Sequence, residues 1–224
     1  MFLLLQTVDS SAAAANAPAK IKLFELLAEG GVIMIPLALM LVLAIAFFYE
    51  RLLVIKKASH VDPNFMNIIK DHIVNGNIQA ARSLTKNTDN AVARIIDKGI
   101  QRIGKPIESI EKSMENVGRL EMYKMERNLN IINVVAGMAP MFGFLGTIIG
   151  MVQMFYEINS EGKFELTTIA GGIYVKMITS ATGLIIGLIA YVMYSYLNTQ
   201  VDKAANKMEV ASGEFLDVLQ EPQR

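Results

Sequence analysis

Three apolar runs leave this chain few ways to fold. Residues 32–49 are 18 consecutive uncharged residues, residues 131–156 carry no charge, and residues 169–197 carry one, Lys176. At about 1.5 Å of rise per residue, each is long enough to cross a hydrocarbon core of roughly 30 Å. Lipid offers the backbone no hydrogen-bond partners, so a run of this kind satisfies itself as a helix. The expected fold class is an all-α membrane protein: three transmembrane helices, with long helices extending into a cytoplasmic helical bundle.

The charges suggest how such helices are oriented. Of 21 Lys and Arg, 14 fall in residues 50–130, 2 precede residue 31 and 1 lies in 157–168. The positive-inside rule therefore places the central segment in the cytoplasm and the N-terminus outside. The expected organisation is a periplasmic segment over 1–30, a first span over 31–50, a cytoplasmic helical domain over 51–130 and a second span over 131–156. A periplasmic loop over 157–168, a third span over 169–197 and a cytoplasmic C-terminal helix over 198–224 complete it. Within 1–30, "IKLFELLAE" puts Ile21, Phe24 and Leu27 on one side, which fits a short helix in the outer interface. A solvated lead-in and a cleaved signal ending near "ANAPA" stay open.

Several classes of function are excluded early. A 53% hydrophobic composition with mean hydropathy +0.38 suits an integral membrane protein, and zero net charge argues against binding nucleic acid. The chain lacks cysteine, so disulfides and thiolate metal sites are impossible. It has no phosphate-cradling glycine loop, no His-Glu-x-x-His pair and no Gly-x-Ser-x-Gly elbow. His60 and His72 sit in ordinary polar surroundings. No enzyme activity, cofactor or metal is expected.

The segment between the first two spans reads as helical. Asp62-Pro63 starts one helix and "NGN" at 75–77 breaks it. Val92, Ile95, Ile96, Gly99 and Ile103 form a stripe that needs a partner. From Pro106, Ile110, Met114, Val117, Leu120 or Met122, Met125 and Leu129 recur at threes and fours, predicting one helix that runs on into the second span. Past Leu197, the stripe Val201, Ala204, Ala205, Met208, Ala211 and Phe215 predicts the same for the third.

The informative residues lie in the second and third spans. Gly143, Gly146, Thr147 and Gly150 recur at three and four, a pattern that lets another backbone approach closely. Gly172, Lys176, Thr179, Ser180, Gly183 and Gly187 share one side of the third span. Lys176 thus points where the small residues point. An ammonium at bilayer depth costs about 2.5–3.5 kcal/mol on insertion scales and faces a partner carboxylate, a watery cavity or, by snorkelling, the interface.

The stretch "AGMAPMFGFLGTIIGMVQMF" (136–155) resembles the second membrane helix of the ExbB/TolQ proton-channel proteins, relatives of the flagellar stator protein MotA, and "GGIYVKMITSATGLIIGLIAYVMY" resembles their third. The likeness extends to "NGNIQAARSL" in the large insertion after the first span. It implies the ring-forming subunit of a proton-driven inner-membrane motor, in better-known cases a pentamer. The ring surrounds a single-span partner of the ExbD or TolR kind, whose membrane aspartate carries protons, and powers TonB-dependent or Tol-type processes in a Gram-negative-type cell.

Thr147 falls on the family threonine of the second helix, and Ser180 falls where a hydroxylated residue of the third is usual. With Thr179, Lys176 and Val175 they are the candidates for the proton path; Gly143, Gly146, Gly150, Gly183 and Gly187 are candidates for helix packing. One departure from the family stands out. Many ExbB and TolQ proteins have a glutamate where this chain has Val175, with Lys176 next to it, and neither membrane stretch contains a carboxylate. The titrating acid is then expected on the partner. Lys176 either lowers that acid's pKa by its charge or anchors at the outer mouth beside Glu157 or Glu165. A self-contained channel or transporter is the alternative, although no inverted repeat is evident; a scaffold without ion flow is the third.

Overall fold

The computed structural model describes residues 31–161 and 166–220, and it is helical with no strand among them. The expected segment over 1–30, with its interfacial helix, and part of the 157–168 loop lie outside the described residues. Seven helices follow in order: α1 (Met34–Ser59), α2 (Phe65–Val74), α3 (Ile78–Asn87), α4 (Ala91–Ile100), α5 (Ile107–Glu126), α6 (Leu129–Glu161) and α7 (Leu166–Gln220). Three stretches are long and apolar enough to span a membrane, Gly31–Ser59, Ile107–Ser160 and Lys176–Gln220. The chain divides into two compact units, Met1–Leu37 with Met141–Gly183, and Ala38–Pro140 with Leu184–Arg224.

In the larger unit, α2 to α5 pack one upon the next. Turn chemistry sets the order. α2 stops before Gly76, whose φ of +71° suits glycine, and the Asn77 side chain accepts from the Ala80 N–H at 3.2 Å to start α3. Asn90 starts α4 in the same way, accepting from Ala93 N–H at 2.7 Å while its own amide donates to the His60 carbonyl at 2.9 Å. Asp62 lies ahead of α2 and accepts from the Asn64 N–H at 2.8 Å.

The apolar stripe of α4 finds its partners on α5 and α7. Val92, Ile95, Ile96 and Gly99 are buried, as are Val201, Ala204, Met208, Ala211 and Phe215 of α7. Gly99 makes room for the meeting of all three. A β-carbon there would lie 2.5 Å from Phe215 Cε1 and 2.7 Å from Met114 Sδ. Between α5 and the distal half of α7 an open groove of about 600 Å³ remains, with Ile95, Met114, Met122 and Met208 among its walls.

Two expectations about α5 are corrected. The helix passes through Gly118 but ends at Glu126, and Asn128 adopts φ +66° before α6 begins, so one continuous helix from Pro106 into the span is not formed. Asparagine tolerates this left-handed conformation better than most residues. The buried stripe also takes a different residue: Ile110, Met114, Glu121 and Met125 face inward, whereas Leu120 is 60% exposed. Stepping seven residues from Met114, two turns of helix, lands on Glu121.

A carboxylate buried in this way needs partners. Arg94 Nη2 donates to Glu121 Oε2 at 2.6 Å, and Lys124 Nζ to Oε1 at 2.7 Å. Arg94 also bonds Asp89 at 2.7 Å, and Asp89 pairs with Lys57 at 2.7 Å, so the chain of charges reaches from α5 back to the end of α1. A second tie is made by the buried Arg51, which pairs with Glu50 and donates to the Lys124 carbonyl at 3.0 Å, one of the carbonyls left open at the end of α5. Lys207 donates to the Ser59 carbonyl at 3.1 Å, joining α1 to α7.

Burial pushes the Glu121 carboxyl up, but the hydrogen bonds and charges of Arg94 and Lys124 outweigh it and hold the group below its ordinary value. Asp89 is lowered chiefly by the hydrogen bond from Lys57. A depressed folded-state pKa contributes stability that is complete above the unfolded value and is lost as pH falls through the folded one. Glu121→Gln should therefore lower stability by about 1.5–3 kcal/mol at neutral pH, the range for hydrogen bonds to charged groups. The gap between the denaturation midpoints of the variant and the parent in detergent should close as pH drops below the ordinary carboxylate range.

Candidate functional site

Within the smaller unit, α6 and α7 run antiparallel and meet along the small-residue stripe. Gly143, Gly146 and Gly150 are buried on one side of α6. A β-carbon on Gly143 would lie 2.9 Å from the Thr179 carbonyl oxygen and 3.1 Å from the Cα atoms of both Gly183 and Ser180. Those are backbone atoms and cannot swing aside, so the helices touch main chain to main chain at this level.

Outward from that contact the seam takes larger groups. At Gly146 the Thr179 side chain fills the vacated space, its Oγ1 2.7 Å from where a β-carbon would sit. At Gly150 the space is occupied by Cγ, Cδ and Cε of Lys176. In the larger unit Gly187 plays the same part for Pro140, whose Cγ would be 2.6 Å from an added β-carbon. Pro140 itself lies inside α6 without ending it.

The candidate hydroxyls occupy two positions relative to the seam. Thr179 is 1% exposed and donates to the Lys176 carbonyl at 2.6 Å, so it lies between the helices. Thr147 and Ser180 are half-buried at the margin, Thr147 donating to the Phe144 carbonyl at 2.7 Å. Thr147 is one turn beyond Gly143, against which Ser180 packs, so both belong to the same pair of helix faces. Lys176 is half-buried. The Val175 side chain, the burial of Gly172 and Glu165 lie outside what is described, and Glu157 is exposed.

The surface beyond the seam is apolar: Met141, Phe144 and Val152 are each more than 60% exposed on α6, an arrangement suited to lipid or a neighbouring chain. Among the described residues no group of three or more His, Cys, Asp or Glu side chains comes together to hold a metal. The spacing of the glycines was legible beforehand, but their matching was not. Gly150 as the recess for Lys176 emerges only once the register of the two helices is known.

These features define a multi-pass helical membrane protein with a tight, hydroxyl-bearing seam between its second and third spans. The chain belongs to the MotA/TolQ/ExbB proton channel family, whose model matches residues 87–210, more than half of the sequence. It is 27% identical over 187 residues to a biopolymer transport protein ExbB homolog of Methanothermobacter thermautotrophicus, covering 83% of this chain and 66% of that protein. A second ExbB-like protein, from Synechocystis, is 25% identical over 179 residues, 79% of this chain and 70% of the relative. The Tol-Pal system protein TolQ of Haemophilus influenzae is 26% identical over 111 residues, 50% of this chain and 47% of its own length. The chain thus spans just under two thirds of the archaeal relative and about half of the TolQ protein.

The main-chain contact at Gly143 gives a direct test of the seam. Gly143→Ala should destabilise the solubilised protein by about 1–3 kcal/mol, as overpacking does. Gly137→Ala, where an added β-carbon meets nothing within 4 Å, should be neutral or slightly stabilising. Thermal denaturation midpoints of the two variants in one detergent make the comparison.

Proposed function

We propose that this chain is the ring-forming stator subunit of an inner-membrane motor driven by the proton-motive force, ExbB-like in kind. The observation that carries the reading is the seam of α6 and α7. It offers Thr147 and Ser180 at its margin, inside the stretch matched by the proton channel family, while residues 131–156 and 169–197 contain no carboxylate. Hydroxyls can pass a proton along hydrogen bonds, but a titrating acid is still needed to load and release it. That acid comes from another chain, a single-span partner of the ExbD or TolR kind with a membrane aspartate. Thr179 lies behind the two marginal hydroxyls, Lys176 sits at the outer end of the seam, and Val175 falls in the sequence where many relatives have a glutamate.

Several features support a ring. The spans present apolar faces, and the groove of about 600 Å³ beside exposed Leu120 and Tyr123 offers a contact surface beyond the membrane. A pentamer agrees with the better-known members of the family. The charge distribution supports an N-terminus on the periplasmic side and a C-terminus in the cytoplasm. Similarity to an ExbB homolog over 83% of the chain, against 50% for TolQ, favours a role in TonB-linked or related transport over Tol-type envelope maintenance.

Proton uptake into liposomes, driven by a potassium diffusion potential, tests the reading. The chain reconstituted with its single-span partner should conduct, and the chain alone should not. Thr147→Val and Ser180→Ala should each lower the flux about tenfold, equivalent to about 1.4 kcal/mol on the transfer barrier. Uptake by the chain alone would sink the stator reading in favour of a self-contained channel.

A further inference from the structure

The register of α6 and α7 repeats a simple match, a glycine on α6 opposite a residue of α7: Gly143 opposite Ser180 and Gly183, Gly146 opposite Thr179, Gly150 opposite Lys176. The first two matches serve close packing. The third does not, because lysine is among the longest side chains and the worst suited to a tight seam. Its Cγ, Cδ and Cε methylene carbons nonetheless fill the recess that Gly150 leaves. A lysine that merely snorkels runs along its own helix toward the headgroups and needs no recess on a neighbour.

Among the described residues the head of this side chain meets no acid: none of the ion pairs made by Arg51, Lys57, Arg82, Arg94, Arg119 and Lys124 involves it. Glu157, on α6, lies seven residues beyond Gly150, about 10 Å along a helix. An ammonium at this depth pairs with a carboxylate or a backbone carbonyl, or faces water. Of these, a carboxylate is the partner that neutralises the charge, and the two spans that form the seam supply none.

We infer that Gly150 is the seat that positions Lys176, and that the ammonium held there is the docking point for a membrane carboxylate on the helix of another chain. The inference rests on the stator reading and adds to it the contact by which the partner is held. Lys176 is the binding residue and Gly150 the positioning residue. A bulkier residue at 150 evicts the methylene stem and moves the charge without removing it.

The test uses the full chain co-expressed with its single-span partner, in its aspartate form and in an Asp→Asn form, with the partner-to-chain ratio measured after purification in mild detergent. Lys176→Met and the partner's Asp→Asn should each reduce retention about tenfold, and the two together should reduce it no further, because both remove one contact. Gly150→Val should give a loss that Lys176→Met does not deepen, because both take the charge from its seat. Retention unchanged by Lys176→Met, or losses that multiply, would overturn the inference while leaving the stator reading intact. Unchanged retention with loss of co-purifying anionic phospholipid would assign the ammonium to a headgroup and overturn it equally. A parent chain that retains no acidic single-span partner fails both readings.

Discussion

The contact between the Thr179 carbonyl and Gly143 sets the geometry on which the site depends. Two helices that meet main chain to main chain have little freedom to slide or rotate, because each small step brings a side chain against a backbone atom. In lipid this matters more than in water, since packing rather than the hydrophobic effect holds helices together there. Everything else at the seam follows from that fixed register. Thr179 is driven between the helices, its hydroxyl turned back to the Lys176 carbonyl, and Thr147 and Ser180 are left at the edge where another molecule can reach them.

In the larger unit a different kind of force does a related job. Glu121 is a carboxylate in a position that the helical pattern reserves for an apolar residue, and it is retained because Arg94 and Lys124 both reach it. The same Arg94 leads through Asp89 to Lys57 at the end of α1. Arg51 ties α1 to the last turn of α5, and Lys207 ties α7 to the Ser59 carbonyl. Polar ties of this sort are directional, so they specify one arrangement of helix ends where apolar contact alone would tolerate several. Under the proposed stator function, holding the helix ends together complements a stiff seam.

How much of this was legible in the sequence depends on the length of the signal. The spans announced themselves by uninterrupted runs, and the stripe of α7 from Val201 to Phe215 is buried as its spacing suggested, apart from the half-buried Ala205. Single positions were harder. In the sequence the stripe of α5 runs as well through Leu120 or Met122, since both are apolar, but neighbours on a helix differ by about 100° and the register belongs to Glu121. A rule that expects charge outside cannot find a buried carboxylate whose partners lie 27 residues back and 3 residues on. Asn128 was passed over for a similar reason, since asparagine breaks a helix only when the chain needs a left-handed step there. At the seam, spacing gave the glycines but not which residue each one faces, for that is a property of two helices in register.

The same 100° step decides how Lys176 relates to the glutamate of many relatives. The family resemblance puts that glutamate at Val175, and one residue along a helix turns a side chain by more than a quarter of a circle. Lys176 is therefore no charge-reversed copy of the family acid. It lies against α6, in the recess of Gly150, on the stripe that continues through Thr179 to Gly183. With valine at 175 neither span offers a titrating acid, and a lysine at 176 packs into the seam instead. Under the proposed stator function the wall then supplies hydroxyls and an ammonium, and the proton-binding carboxylate belongs to the guest helix. On that reading a wall without its own acid has no site at which a proton can rest in the partner's absence, which couples conduction to assembly.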